Sequence, residues 1–255
     1  MRDLILEVKR GVATLSINRP KSRNALALQT MAELDQAIDA VRAGRARVLV
    51  IRGEGTKAFC AGGDLKELEQ IRSAAEAAAM ARRMRATLDR LPQLSIPVIA
   101  GINGDALGGG AELAVACDFR IAASHARLGF AQVTLGIMPA WGSIERLAEL
   151  VGRGRAMYLL LGGQAIAATD AWRAGLVEEV VPSKEFDTRL AEVARSIADA
   201  PPPTITGIKR AVDAVRPHRR PDLATDAIEA FARTWAHPAH WKALETMEKR
   251  RQAKK

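Results

Sequence analysis

The sequence of 255 residues has few of the groups that define several large protein classes. Its two cysteines, Cys60 and Cys117, lie far apart and lack the paired spacing of a zinc site or a disulfide framework, so we expect both to be reduced packing residues. Aromatic residues make up 4% of the chain, and no apolar run is long enough to cross a bilayer. The first strand-like run, at residues 4–8, begins without a basic leader or an apolar signal core, which predicts a cytoplasmic protein with no membrane partner.

The formal charge of +9 leaves two alternatives open, a surface for nucleic acid or a positive field that attracts a polyanionic small molecule. The densest basic runs, at residues 82–83, 216–220 and 249–255, lack the interleaved aromatic residues that stack nucleic-acid bases. This composition disfavours nucleic-acid binding as the main function and favours a phosphate-bearing ligand.

Periodicity predicts an α/β protein with a helical C-terminal region. Strands are expected at residues 4–8, 13–17, 48–51, 98–102, 119–123 and 177–181. Helices are expected at residues 27–41, 74–91, 144–150, 155–161, 169–174, 186–199 and 205–215. Proline clusters at 201–203 and 217–221 indicate linkers, so we expect a core at residues 1–200 and a helical region at 201–255 that packs away from the core and makes oligomer contacts.

The segment DALGGGAELAVACD, at residues 105–118, places three glycines directly before Glu112 and an apolar helix. Peptide N–H groups at a helix start have no intrahelical partner, and the helix dipole favours negative charge there. The segment is neither a dinucleotide fingerprint nor a P-loop, so we interpret it as backbone donors for an oxyanion, with a carboxyl nearby for proton transfer. A second glycine turn, AFCAGGDLKEL at residues 58–68, supplies candidates for the second donor.

Four blocks carry a specific resemblance: INRPKSRNALALQTMAELDQAI, KAFCAGGDLKEL, GDALGGGAELAVACDFRIAA, and LGIMPAWG followed by AGLVEEVVP. Their order and spacing, over essentially the whole chain, resemble the crotonase, or enoyl-CoA hydratase/isomerase, superfamily. The resemblance implies a ClpP-like spiral of ββα units with a helical C-terminal region that forms trimers or dimers of trimers. It also implies an acyl-CoA thioester substrate, no cofactor beyond that coenzyme A, and an oxyanion hole made by the N–H groups of Gly63 and Gly109.

The expected pair of acid–base glutamates is incomplete. Glu112 matches the first, but counting back from Gly136 places Gln132 where the family pattern has the second, and an amide cannot exchange a proton as a carboxyl does. Hydration of a short or branched 2-enoyl-CoA would then rely on Glu112, with Gln132 holding water, and double-bond isomerisation is disfavoured. Two alternatives stay open. The first is decarboxylation of an alkylmalonyl-CoA, because the segments GGGAEL, MPAWG and TWAHPAH resemble the ethylmalonyl-CoA decarboxylase branch. The second is a non-catalytic member of the family that binds acyl-CoA or RNA.

The remaining candidates concern substrate binding. Trp141 replaces a small residue of the family pattern and is expected to fill part of the acyl pocket. The residues expected to bind coenzyme A are Arg23 and Lys66 through its phosphates, and Ala25, Ala61 and Leu65 through backbone groups, with Asp64 as a helix cap beside them. No metal site is expected, because His237 and His240 lack a third ligand; Glu145 is a weak candidate for the missing carboxyl.

Overall fold

The computed structural model describes residues 1–215 and 221–253, without side chains at 221–223 and 251. Within these residues the strands are β1 (Leu4–Lys9), β2 (Val12–Ile17), β3 (Val48–Gly53), β4 (Ala58–Cys60), β5 (Val98–Ile102), β6 (Asp105–Leu107), β7 (Phe119–Ala123), β8 (Arg127–Gly129), β9 (Ile166–Ala167) and β10 (Glu179–Val181). The helices are α1 (Leu28–Ala43), α2 (Leu65–Leu68), α3 (Ala74–Asp89), α4 (Gly109–Ala116), α5 (Ser143–Gly162), α6 (Ala168–Arg173), α7 (Phe186–Asp199), α8 (Pro202–Ala214), α9 (Pro221–Ala236) and α10 (Pro238–Gln252). Short 3-10 helices occupy Pro20–Ser22 and Ala131–Leu135.

Two sheets organise the chain. The larger sheet has six strands in the order β1-β2-β3-β5-β7-β10, antiparallel only at the predicted hairpin β1–β2 and parallel elsewhere. Its central strands β3 and β5 are buried along nearly their whole length, as their continuous apolar runs predict. The smaller sheet, in the order β4-β6-β8-β9, is built from strands of two or three residues, too short to give a periodic signal, and the sequence did not predict them.

The predicted helices are present, with changed bounds. The two helices expected at 144–150 and 155–161 form one run, α5, which kinks at Gly152, where φ is +76°. The proline cluster at 201–203 is a helix start and no linker: Pro202 opens α8, a position where the missing N–H of proline is tolerated. The second expected linker lies mostly outside the described residues. No helix in the described part of the chain combines the length and apolar character that a membrane span requires.

The C-terminal region corrects one expectation. Rather than packing away from the core, α9 lies against α3 of the same chain. Its apolar face joins the main hydrophobic core through Ile228, Phe231, Ala232 and Trp235. The Trp235 indole N–H also donates to the carbonyl of Ile71 at 2.7 Å. This packing occurs because an amphipathic helix buries its apolar stripe against whichever surface is available, and here α3 and its surroundings offer one.

Candidate active site

The two glycine turns meet because the short strands that precede them pair. β4 and β6 run parallel, so the chain leaves both strands at the same edge of the smaller sheet. The contact between the turns is close: at Gly62, where φ is +96°, an added Cβ would lie 2.9 Å from the carbonyl oxygen of Leu107 and 3.1 Å from the amide nitrogen of Gly109. Glycine is therefore required at Gly62 both by its backbone conformation and by the close approach.

Two backbone donors remain free at this junction. Gly109 is the first residue of α4, and Gly63 lies just before the Asp64 cap of α2. Within the described part of the chain, neither amide N–H has an acceptor at hydrogen-bond distance. Both glycines border the same cavity, so the two N–H groups are available to one ligand. These are the two glycines that the family resemblance implied as donors, and their role stays a prediction.

Glu112 lies in the first turn of α4 with its side chain almost fully buried. Its Oε1 accepts hydrogen bonds from the Trp141 backbone N–H at 2.9 Å and from the Ser143 hydroxyl at 2.9 Å. Its Oε2 accepts from the Gln132 amide at 2.9 Å. Burial raises the pKa of Glu112 above its ordinary value, and these hydrogen bonds partly oppose the change. A carboxyl with a raised pKa is suited to exchanging protons.

Gln132, which counting back from Gly136 placed at the position of the family's second glutamate, lies beside Glu112. It is buried on the 3-10 helix Ala131–Leu135, and while its nitrogen contacts Glu112, its Oε1 has no partner within the described residues. A buried acceptor without a partner is unfavourable unless a ligand or water satisfies it. The His240 ring fixes the end of this segment through a 2.6 Å hydrogen bond between Nδ1 and the carbonyl of Leu135.

Trp141 lies over the place where the two glycine turns meet, next to Gly63 and Gly109, which we call the glycine junction. An added Cβ at Gly109 would lie 2.1 Å from Cζ3 of the indole, and one at Gly63 would lie 3.8 Å from its Cη2. Trp141 is buried, and its ring occupies space directly beside both donors. The sequence predicted that Trp141 would fill part of the acyl pocket; the structure shows that it lines the cavity beside Glu112.

The cavity beside these groups measures about 200 Å³ and is mostly apolar. Side chains from several elements line it, including Leu68, Met80, Leu135, Ile137, Met138, Phe231, Trp235 and Met247. The last three come from α9 and α10, which the sequence assigned to oligomer contacts alone. An amphipathic pattern identifies their apolar faces but does not say which surface they cover, so no sequence signal pointed to them.

The residues expected to bind coenzyme A lie around the glycine junction. Ala61 and Leu65 line the cavity, whereas Ala25 is buried and does not line it. Lys66 is exposed, and Arg23 is exposed but paired with Asp105 at 2.6 Å. Asp64 caps α2, as expected, by accepting from the Lys66 N–H, and it also pairs with Arg19 at 2.9 Å.

Other candidates lie away from the cavity or are inert. Glu145 pairs with Arg85 at 2.8 Å and does not border the cavity. Burial raises the pKa of the Cys60 thiol to about 12, so this cysteine is no nucleophile. His237 caps α10 and His240 is buried between tryptophans. No group of ligating side chains in the described ranges can hold a metal ion.

Sequence reasoning also missed Ser143, which contacts Glu112. Its hydroxyl contacts Glu112, yet a serine at the start of a helix normally signals nothing more than a capping role. The only available hint was its position, two residues after Trp141 in the block LGIMPAWGS.

Comparisons with known proteins agree with this geometry. The model of the enoyl-CoA hydratase/isomerase family matches residues 7–254. The short-chain-enoyl-CoA hydratase of Clostridium acetobutylicum is 38% identical over 84% of this chain and 82% of its own length. The crotonyl-CoA hydratase of Syntrophomonas wolfei is 42% identical over 76% and 75%. A crystal structure of an enoyl-CoA hydratase from Bacillus anthracis superposes with a TM-score of 0.78 at 35% identity, covering 97% of this chain and 96% of that one, which confirms the predicted fold class.

Proposed function

The chain belongs to the enoyl-CoA hydratase/isomerase family and is an acyl-CoA-processing enzyme of that type, and from this premise we propose that it adds water to a short, uncharged 2-enoyl-CoA. The observation that carries the proposal is the pair formed by Glu112 and Gln132. The carboxyl has a raised pKa, and the amide keeps one buried acceptor unsatisfied on the border of the cavity. Together they offer a water molecule one proton acceptor and one further hydrogen-bond acceptor.

The thioester is activated by the two backbone donors. We assign its carbonyl oxygen to the N–H groups of Gly63 and Gly109, which have no other acceptor in the described residues. When water attacks, negative charge moves onto this oxygen, and donors already fixed next to the starts of α2 and α4 stabilise the enolate without reorganising. Removing one such donor lowers kcat roughly 10²–10³-fold.

One carboxyl handles both proton transfers in this proposal. Oε2 of Glu112 takes a proton from the water while the Oε1 of Gln132 accepts a hydrogen bond from its second hydrogen. The water oxygen bonds to C3 of the substrate, and the electron pair of the C2–C3 double bond moves onto the thioester oxygen. The enolate then collapses and C2 takes the proton back from Glu112, which restores the carboxylate. Gln132 transfers no proton at any stage.

The acyl group that fits is small and uncharged. The cavity of about 200 Å³ is narrowed by Trp141, and none of its lining residues within the described chain is a lysine, arginine or histidine. An alkylmalonyl group would place a second carboxylate beside Glu112 without a cation to pair with it, and this is unfavourable in a buried site. The cavity therefore supports hydration over decarboxylation.

We place the coenzyme A portion of the substrate at the rim of the cavity. Ala61 and Leu65 line the cavity, and we assign the coenzyme a contact with the backbone of Ala25, while the exposed Lys66 and Arg23 supply positive charge for its phosphates next to the Asp64 cap. Binding requires Arg23 to exchange its pairing with Asp105 for a phosphate, and both side chains are accessible enough to do so. No cofactor other than the coenzyme A of the substrate has a role in this scheme. The helical region at 201–255 is proposed to assemble a homotrimer or a dimer of trimers.

The test is product analysis by mass spectrometry. Purified protein is incubated with crotonyl-CoA, 3-methylcrotonyl-CoA, methylmalonyl-CoA and ethylmalonyl-CoA, in parallel with the variants Glu112→Gln and Glu149→Gln. Glu149 is an exposed glutamate on α5 and serves as the matched control. We expect an enoyl-CoA to gain one water, and this product to disappear in Glu112→Gln alone. Loss of CO2 from a malonyl substrate would refute hydration in favour of decarboxylation, and no reaction with any substrate would favour a binding protein.

A further inference from the structure

Ser143 is the first residue of α5 and is completely buried. It follows Gly142, whose φ of +97° turns the chain so that two backbone N–H groups and the serine hydroxyl point toward Glu112. The hydroxyl lies 2.9 Å, and the Ser143 N–H 3.4 Å, from Oε1 of that carboxyl. With the Trp141 N–H, the start of α5 gives three donors to one carboxylate oxygen.

The two oxygens of Glu112 therefore have different surroundings. Oε1 accepts from three donors. A proton bound to Oε1 would point toward the hydrogens of these donors, and this is unfavourable. Among the residues that the structure describes, Oε2 accepts only from Gln132, which borders the cavity. A proton on this carboxyl is thus confined to Oε2. We propose that Ser143 is a positioning residue, whose hydroxyl holds Oε1 as an acceptor so that Oε2 is the atom that takes the proton from water and returns it to the substrate.

The turn that leads into Ser143 is held in place by Arg146. Arg146, itself buried, donates from Nη1 to the carbonyl of Trp141 at 2.9 Å and pairs with Asp89 on α3. Gly142 fits closely over the same guanidinium, because an added Cβ would lie 2.4 Å from Nη1. The serine hydroxyl therefore sits on a fixed element, which is what a group that orients a catalytic side chain requires.

Charged groups do not account for the orientation of Glu112. On the elements packed against α4, the charged side chains that are not exposed to solvent form ion pairs: Arg85 with Glu145, Arg146 with Asp89, Arg120 with Glu178, and Asp105 with Arg23. The Cys60 thiol of β4 is neutral at physiological pH, since burial raises its pKa. The groups that contact the carboxyl are hydrogen-bond donors, and Ser143 supplies the only side-chain donor on Oε1 within the described residues.

The inference rests on the proposed hydration, and the first experiment measures kcat and KM for crotonyl-CoA against pH. In Ser143→Ala we expect kcat to fall about ten- to a hundredfold, in line with loss of a hydrogen bond to a charged group. KM should stay within about twofold, since Ser143 is not among the described residues that line the cavity. The acid limb of the kcat profile should move to higher pH, because the hydroxyl that is removed stabilises the carboxylate form of Glu112.

Two further variants serve as controls. Ser143→Thr keeps the hydroxyl and should recover most of the activity. Ser196→Ala changes an exposed serine on α7 and should behave as wild type.

A second measurement does not depend on activity. The carboxyl ¹³C resonance of Glu112, identified by its absence in Glu112→Gln, is titrated in the wild type and in Ser143→Ala. Titration at higher pH in the variant supports the positioning role, and titration at the same pH overturns it. If the wild type hydrates no enoyl-CoA, the proposed function fails, and this titration alone decides whether Ser143 acts on Glu112. An unchanged acid limb in an active but slower Ser143→Ala would also overturn the inference, since a purely structural defect lowers activity without moving it.

Discussion

The two sides of the cavity are made from different kinds of group. On one side, Gly63 and Gly109 offer backbone N–H groups, whose positions follow from the pairing of β4 with β6. On the other, Glu112, Gln132 and Trp141 offer side chains, brought together by α4, a 3-10 helix and the start of α5. In the proposed mechanism, the backbone side stabilises the enolate through its N–H groups, while the side chains direct the protons and select the acyl group.

The largest effect is expected from a single methyl group on the backbone side. In Gly109→Ala the new Cβ would overlap the Trp141 ring, 2.1 Å away, so either the donor or the indole must shift. We expect kcat/KM for crotonyl-CoA to fall about 10²–10³-fold, since displacing an oxyanion donor has an effect of this size. Gly154→Ala, on α5 with open space around it, is the matched control and should retain full activity. Wild-type activity in Gly109→Ala would show that this N–H is not a donor.

The backbone side was also the easier one to predict from sequence. Glycine runs after strong apolar strands are local signals, and they led to the two turns, within which the family resemblance implied Gly63 and Gly109. The side chains were predictable where a family pattern fixes them, as for Glu112 and Gln132. Ser143 was missed because its contact depends on the φ of Gly142, and the placement of α9 was wrong because an apolar face does not identify its partner. Strands as short as β4 and β6 have no periodicity to detect.

On the side-chain side, Gln132 should matter less than the donors. Gln132→Ala removes the acceptor for the second hydrogen of water, and we expect kcat for crotonyl-CoA hydration to fall about 10- to 100-fold. Gln132→Glu would instead place a second carboxyl against the first, which raises the pKa of one of them and should shift the acid limb of the pH profile upward. The exposed Gln164, substituted by alanine, is the control. An unchanged kcat in Gln132→Ala would mean that Glu112 holds the water alone.

Trp141 should alter selectivity more than rate. Trp141→Ala enlarges the cavity next to the glycine junction, so we expect the ratio of kcat/KM for a medium-chain 2-enoyl-CoA over crotonyl-CoA to rise about tenfold, near the lower end of what hydrophobic pockets achieve. Trp172, an exposed tryptophan on α6, provides the control Trp172→Ala, for which the ratio should not change. If the ratio also stays constant in Trp141→Ala, another part of the cavity limits the acyl group.

The smallest expected effect concerns how the free energy of unfolding depends on pH. It distinguishes the two sides of the cavity because only the side-chain side contains a buried group that titrates. The backbone donors are uncharged, whereas Glu112 is a buried carboxyl whose pKa burial raises. A group with a raised folded-state pKa destabilises the protein at higher pH: the unfolded chain releases its proton near a pKa of about 4.3, while the folded protein still holds it. The destabilisation therefore begins to accumulate above about pH 4 and stops growing once the pH exceeds the folded-state pKa.

Glu112→Gln removes this pH-dependent term and keeps an oxygen to accept from Ser143 and Trp141. We expect the variant, although inactive, to have a free energy of unfolding at pH 7.5 that equals or exceeds that of the wild type, with the advantage shrinking toward pH 5. Each unit by which the folded-state pKa exceeds the unfolded one corresponds to about 1.4 kcal/mol, which urea denaturation across this range can resolve. A difference between variant and wild type that does not change with pH would show that the carboxyl is not destabilised by burial. The proton-transfer role would then need a different source for the reactivity of Glu112, with its hydrogen bonds to α5 as the remaining candidates.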